Sequence, residues 1–244
     1  MCAKNNDYTT IFADDNIVVL NKRSGILIAA DRYNEDAPRL DLLAEKEFGK
    51  LYAVHRIDKD TSGLIVYART SEAHKNLSQQ FEKRLVHKTY HALVYGHPLW
   101  DKLNVDLPLL PDGDIRHRTV VNKKYGKPSV TDFYNVGSCG PYSWIIAEPK
   151  TGRTHQIRAH FQYIKHPIFG DKTYGGDTIV KGTTFTKYKQ FVNNCLEIVP
   201  RQSLHAKTLG FLHPTKNEFM QFDSELPDDI ASVLNKWRRY IGDN

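Results

Sequence analysis

Three short segments of this 244-residue chain gather residue types that do chemistry. The densest is His55-Arg56-Ile57-Asp58-Lys59-Asp60-Thr61-Ser62-Gly63, a charged and hydroxyl-rich stretch between two apolar runs. Loops held on a rigid scaffold are where reactive side chains sit, so Asp58 is a candidate nucleophile or base. The plainer reading is an Asx-type turn whose carboxylates only cap backbone amides. A second segment, Thr151-Gly152-Arg153-Thr154-His155-Gln156-Ile157-Arg158-Ala159-His160, feeds basic groups and amide donors into a helix start, where anions are attracted. Arg158 suits a phosphate or carboxylate clamp and a pairing with a buried Asp, while the plain alternative is a solvated basic helix start. The third, Lys88-Thr89-Tyr90-His91-Ala92-Leu93-Val94, puts Lys88, Tyr90 and Ala92 on one strand face. Tyr90 fits a core aromatic or a ring that stacks on a base.

The elements that must position these segments follow from periodicity and turn residues. Thr9 to Phe12 and Ile17 to Leu20 read as strands, with a turn at Asn21 to Gly25 leading into a further strand over Ile26 to Ala29. Residues 39 to 48 carry a helical stripe and stop at Gly49. Leu51 to Ile57 and Leu64 to Ala68 read as strands on either side of the Asp58 loop. A helix over 71 to 84 is capped by Ser71, and a strand runs from Lys88 to Gly96. Hairpins are expected between Leu99 and Pro128, then strands at Thr131 to Val136 and Trp144 to Glu148. A helix over 154 to 164 opens at Thr154 and closes before Pro167. Residues 177 to 200 show little periodicity; Ser203 to Phe211 and Glu218 to Phe222 are strands, and Pro227 to Tyr240 is a helix. Strands and helices interleave without a regular βαβ rhythm, so the fold class is α+β with a mixed, largely antiparallel sheet and flanking helices.

Composition narrows the partners. There are 34 Lys and Arg against 28 Asp and Glu, a formal charge of +6, which favours a polyanion over an acidic protein. The 3 cysteines are widely spaced and lack a paired CxxC rhythm, so reduced thiols are expected rather than a disulfide framework or a zinc site. No apolar run approaches the ~20 residues that cross a bilayer, and the N-terminus lacks an apolar leader. The cytoplasm and no membrane contact are the expectation. Residues 1–8 read as a tail and 9–244 as one domain.

Together the three segments resemble the RluA-type pseudouridine synthases. The resemblance rests on His55-Arg56-Ile57-Asp58 through Thr61-Ser62-Gly63, Lys88-x-Tyr90-x-Ala92-x-Val94 and Gly152-Arg153-Thr154-His155-Gln156-Ile157-Arg158-x-His160. It extends through His166-Pro167-Ile168-x-Gly170-Asp171-x-x-Tyr174-Gly175, Leu204-His205-Ala206 and His213-Pro214, and starts upstream at Asn21-Lys22. It implies a catalytic fold with a central RNA-binding cleft and an isomerase that exchanges the C–N glycosidic bond of uridine for a C–C bond. Asp58 is then the catalytic carboxylate, Arg158 its ion-pair partner and Tyr90 the active-site aromatic. Arg56 fills the hole left by a flipped nucleotide, Leu204 is an apolar wall, and Arg153, His155 and Gln156 are RNA contacts. A uracil inside paired RNA cannot be reached until it is unstacked, which costs a few kcal/mol that such contacts offset. The exchange needs a nucleophile or base and water exclusion, so no cofactor and no metal are expected. The expected partner is structured RNA, ribosomal or transfer, met by a monomer.

Ile57, Arg23, Ala159 and Lys165 depart from the family's usual Leu, Pro, Val and Gly; Arg23 and Lys165 bear on loop shape and RNA contact. The histidines 155, 160, 166, 205 and 213 are explained by the resemblance as structural hydrogen-bonders; His155 and His160 miss the i, i+4 spacing of a helical zinc pair. Two other readings are a catalytically silent RNA-binding or assembly factor of the same fold and a metal- or base-dependent hydrolase. Many relatives carry an accessory RNA-binding domain ahead of the catalytic one; with the first core strand near residue 9, recognition is expected from the catalytic domain. The stretch 177 to 200, with Lys181, Lys187, Lys189, Phe185 and Tyr188, is a candidate RNA-touching or flexible loop.

Overall fold

Ile17 to Leu20 and Leu64 to Ala68 are apolar at every position, and a strand of that kind has to be covered on both faces. In the computed structural model, which describes residues 7–30, 37–179 and 185–241, they form β2 (Ile17–Lys22) and β4 (Ser62–Ala68), both buried almost throughout. The chain divides into two compact units, one of Met1–Lys88 with His205–Glu225, the other of Thr89–Leu204 with Leu226–Asn244.

In the first unit β1 (Tyr8–Ala13) pairs antiparallel with β2, and β2 with β4. The short β3 (Tyr52–Ala53) also pairs antiparallel with β4. β11 (Leu204–Leu212) joins β4 in parallel through His205↔Ser62 and Ala206↔Gly63, and β12 (Phe219–Asp223) closes on β11. Helix α1 (Leu40–Phe48) ends at Gly49, whose φ of 72° explains the glycine. Helix α2 (Ser71–Glu82) lays Ala73 and Leu77 on Ile17, Val19, Leu64, Val66, Leu209 and Phe211. Its cap is Thr70 rather than Ser71, since the Thr70 hydroxyl accepts from the Ala73 N–H at 3.1 Å.

In the second unit β5 (His87–Tyr95), from Thr89 on, pairs with β10 (Tyr142–Pro149), β10 with β9 (Val130–Cys139), and β9 with β6 (Lys102–Asp106), all antiparallel. The period-2 alternation of β5 serves two cores. Ala92 and Val94 face Ile157 and Phe161 of α3 (Gln156–Tyr163), whereas Leu93 and Tyr95 pack with α4 (Thr186–Ile198) and α5 (Asp228–Ile241) through Tyr188, Val192, Val233 and Trp237. A separate two-stranded arm, β7 (Leu109–Leu110) with β8 (Val120–Val121), stands between β6 and β9 in the chain.

The α+β, mostly antiparallel class is therefore what forms. Three local expectations are corrected. Ile26 to Ala29 forms no strand; Leu27 makes a single bridge to Arg39. Leu51 to Ile57 contributes only the two residues of β3. The supposed loop within 177 to 200 contains helix α4, whose Tyr188, Val192 and Cys195 fall at i, i+4 and i+7 and are buried, so Tyr188 is core. Lys181 lies outside the described residues. Cys195 is buried in the core, and among the described residues no helix is long and apolar enough to cross a membrane.

Candidate active site

The Asp58 loop is short, and its backbone is pinned from several sides within the first unit. Ile57 is buried and anchors it, Arg56 is exposed and Asp58 half-buried. Lys22 is only 1% exposed, and its ammonium donates to the carbonyls of Lys59 at 2.7 Å and Arg23 at 2.9 Å. The Gly25 N–H also reaches the Lys59 carbonyl at 2.9 Å, Ser24 donates to the Asp60 carbonyl, and the Thr61 N–H to the Asp58 carbonyl. A buried ammonium persists only where it is hydrogen-bonded, so Lys22 fixes the chain directly after Asp58. At the loop's exit the Ser62 hydroxyl meets His205 Nδ1 at 3.0 Å, and His205 Nε2 meets Ser224 at 2.8 Å. Gly63 follows with φ 113°, and a Cβ there would stand 2.2 Å from the Ala206 carbonyl oxygen.

The loop's entrance rests on His55, stacked on Phe81 with centroids 4.4 Å apart. Its Nε2 accepts the Val66 N–H at 3.1 Å, so the ring is neutral with its proton on Nδ1. Burial, aided by the Lys88 charge, pushes His55 down to about 3. Burial also pulls Lys88 down to about 8, its ammonium 5.9 Å from the Phe81 centroid.

In the second unit the turn Thr151 to Thr154 delivers His155 in a left-handed conformation, φ 51°, as the residue that opens α3. A bulky residue there costs about 1–2 kcal/mol and persists when neighbours hold it. His155 Nδ1 meets the Tyr174 hydroxyl at 3.2 Å. Gln156, read from the sequence as an RNA contact, is instead buried, with its amide spent inside the protein. Its oxygen accepts from Thr151 and the Arg153 N–H, and its nitrogen donates to the Val130 carbonyl and Thr131. It is a brace for the turn. Arg153 is half-buried, its guanidinium 3.3 Å from the Pro128 carbonyl.

Arg158 is 6% exposed and forms a bidentate pair with Asp171, Nε to Oδ2 at 2.7 Å and Nη2 to Oδ1 at 2.9 Å. The resemblance pairs Arg158 with Asp58 and does not single out Asp171, for which Gly170-Asp171 within the extended motif was the available signal. Its Oδ1 also accepts the N–H groups of Thr173 and Tyr174. Tyr90 is half-buried on β5, opposite Ala147, and packs on the cluster that holds Ile157, Phe161, Ile168 and Leu204. Tyr90, Leu204 and the helix of Arg158 thus meet in one core, while Asp58 and Arg56 belong to the first unit.

Each of the other motif histidines is committed to the fold. His160 sits between Thr131 and the Leu107 carbonyl, with its pKa lowered by burial. His166 contacts the Tyr95 carbonyl, and His213 pairs with Asp14. Among the described residues no three His, Cys, Asp or Glu side chains gather as a metal site.

The sequence placed hairpins in this stretch but assigned the arm no RNA contact. Arg116, His117, Lys123, Lys124, Tyr125 and Lys127 are exposed on its two turns, and Lys124 lies 4.8 Å from the Tyr125 centroid. Its acids are engaged locally, Asp114 with Arg118 and Asp112 with His117, leaving the net charge positive. Asp114 and Asn122 each accept backbone N–H groups ahead of them, at 2.9 to 3.0 Å, which stiffens both turns.

Comparison with known proteins gives these sites a common setting. A family model described as RNA pseudouridylate synthase matches residues 16–163. The chain is 36% identical to an uncharacterized RNA pseudouridine synthase of Chlorobaculum parvum, over 94% of this chain and 74% of that one. It is 37% identical to the dual-specificity RNA pseudouridine synthase RluA of Vibrio vulnificus, over 84% and 77%. Identity to the ribosomal large subunit pseudouridine synthase D of Zymomonas mobilis is 34%, over 92% and 71%. Human RNA pseudouridylate synthase domain containing 4 shares the fold, with a TM-score of 0.71 at 22% identity over 94% of this chain and 92% of that one. The relatives are named as synthases, which favours catalysis over the catalytically silent RNA-binding alternative. The chain belongs to the RNA pseudouridylate synthase family and is an RNA pseudouridine synthase, an isomerase acting on RNA.

Proposed function

We propose that this enzyme converts particular uridines of structured ribosomal or transfer RNA to pseudouridine, with Asp58 as the catalytic carboxylate. The observation that carries the proposal is the pinned loop. A buried ammonium, an obligatory glycine and a buried Ser-His-Ser chain all serve to hold the few residues around Asp58, an investment that an ordinary surface turn does not need. Preorganised side chains of this sort are what a reaction requiring a precisely placed carboxylate demands.

In this reading the target uridine leaves the RNA stack before reaction, and Arg56, exposed beside Asp58, fills the gap. Asp58 takes part in breaking the N1 glycosidic bond; the released uracil turns and rejoins the sugar through C5, and the C5 proton moves to N1. Nothing is oxidised or reduced overall. Tyr90 and Leu204 are the proposed uracil-contacting residues, and Arg158, oriented by Asp171, is a further proposed catalytic residue, on the strength of the motif resemblance. His155 and Arg153 contact RNA, with Gln156 bracing them. The arm's exposed cations and Tyr125 replace 177–200 as the favoured RNA surface, since charge draws phosphate and an exposed ring stacks on an unpaired base. Residues 9–244 are taken to act as one catalytic domain, a monomer of the cytoplasm that needs neither membrane nor metal.

The test is to map pseudouridine in ribosomal and transfer RNA from cells with and without the gene. One or a few discrete sites should disappear on deletion, return with the wild-type gene and stay absent with Asp58→Ala. Identical maps with and without the gene would refute the proposal.

A further inference from the structure

Tyr174 joins three parts of the second unit. It is 4% exposed, and its ring lies 5.1 Å from the Arg158 guanidinium carbon. Its hydroxyl donates to the Thr119 carbonyl at 3.1 Å, leaving its oxygen to accept from His155 Nδ1 at 3.2 Å. Thr119 precedes β8 directly, and Tyr174 packs with Leu109 and Val121 at the arm's root. Its own N–H reaches Asp171, the carboxylate that grips Arg158.

The loop that carries it is closed on itself. The Gly170 N–H reaches the Gly176 carbonyl at 2.6 Å, and the Gly176 N–H reaches the Asp171 carbonyl at 2.8 Å. A Cβ on Gly176 would stand 1.7 Å from the Ile168 carbonyl oxygen, so the ring of backbone bonds leaves no room to shift. A side chain on such a rigid base transmits position rather than absorbing it.

We propose that Tyr174 is a positioning residue that couples RNA contact on the arm to the setting of Arg158, an inference that rests on the function proposed above. The hydroxyl serves binding, by tying the arm's root and His155 together. The ring serves turnover, by packing against the guanidinium that Asp171 grips. The two roles separate under substitution: Tyr174→Phe keeps the ring and loses the ties, whereas Tyr174→Leu loses both.

The experiment uses the full-length protein and RNA extracted from cells lacking it, with pseudouridine formation followed at a mapped site. For Tyr174→Phe the expected result is a KM raised about fivefold to tenfold, the size of one or two lost hydrogen bonds, with kcat within twofold of wild type. Tyr174→Leu is expected to raise KM similarly and lower kcat at least tenfold. Adding Lys123→Ala and Lys124→Ala to Tyr174→Phe should raise KM by less than the product of the separate effects, which a purely structural role would not produce. Wild-type kinetics in both Tyr174 variants would overturn the coupling, as would losses that vanish at temperatures where each variant is fully folded. A wild-type protein that makes no pseudouridine would instead sink the underlying function, and the coupling with it.

Discussion

His55 shows how much a single residue in the Asp58 segment is committed to structure. Its pKa is about 3 in the fold against 6.5 when exposed, so the unfolded chain binds more protons between those values. Its contribution to stability is therefore complete above pH 6.5 and is lost as the pH falls toward 3. Between pH 7.5 and 5 the loss from this one group should be no more than about 2 kcal/mol, read as a drop in the denaturation midpoint. His55→Asn should flatten that slope; an unchanged slope would show that His55 titrates normally. At this scale the sequence was informative where reactive types sit together in the chain, as around Asp58, Tyr90 and Arg158. It did not locate a partner brought in by folding. Asp171 lies thirteen residues after Arg158 and Lys22 far ahead of Lys59, and no local spacing reveals either contact. Gln156 shows the converse: its type suited RNA, but burial left its amide no free donor or acceptor.

Among the elements, the meeting of β4 and β11 carries the most constraint. The two strands run parallel, and Gly63 sits against the Ala206 backbone at a distance no side chain allows. Gly63→Ala should destabilise the protein by more than about 3 kcal/mol, from the positive φ and the clash together, and should lower activity by loosening the loop ahead of it. Measuring the denaturant midpoint and the rate at one temperature checks both, and a variant as stable as wild type would contradict the geometry. Strands β2 and β4 were readable from short runs rich in β-branched residues, and β5 from its alternation. Helix α4 was not, because its buried stripe of Tyr188, Val192 and Cys195 is narrow and its remaining positions are polar or charged. Among the described residues, the failed strand at Ile26 to Ala29 has apolar residues but no ladder partner beyond the bridge from Leu27 to Arg39.

At the scale of the molecule, a formal charge of +6 and an arm whose acids are already engaged point to binding governed by phosphate contacts. Affinity for RNA extracted from cells lacking the protein should fall steeply with salt. Lys123→Ala with Lys124→Ala should lower the slope of log Kd against log salt by about 1.4 to 1.8, and equal slopes would remove the arm from the interface. The interleaved α+β order was legible from the pattern of elements, and the family from three motifs that no one element contains. The most direct measurement is the single-turnover rate of pseudouridine formation on that RNA for wild type and Asp58→Ala, at matched folded concentration and saturating enzyme. Wild type should modify its site while the variant binds the RNA but reacts at least about a thousandfold more slowly; comparable rates would contradict the role assigned to that carboxylate.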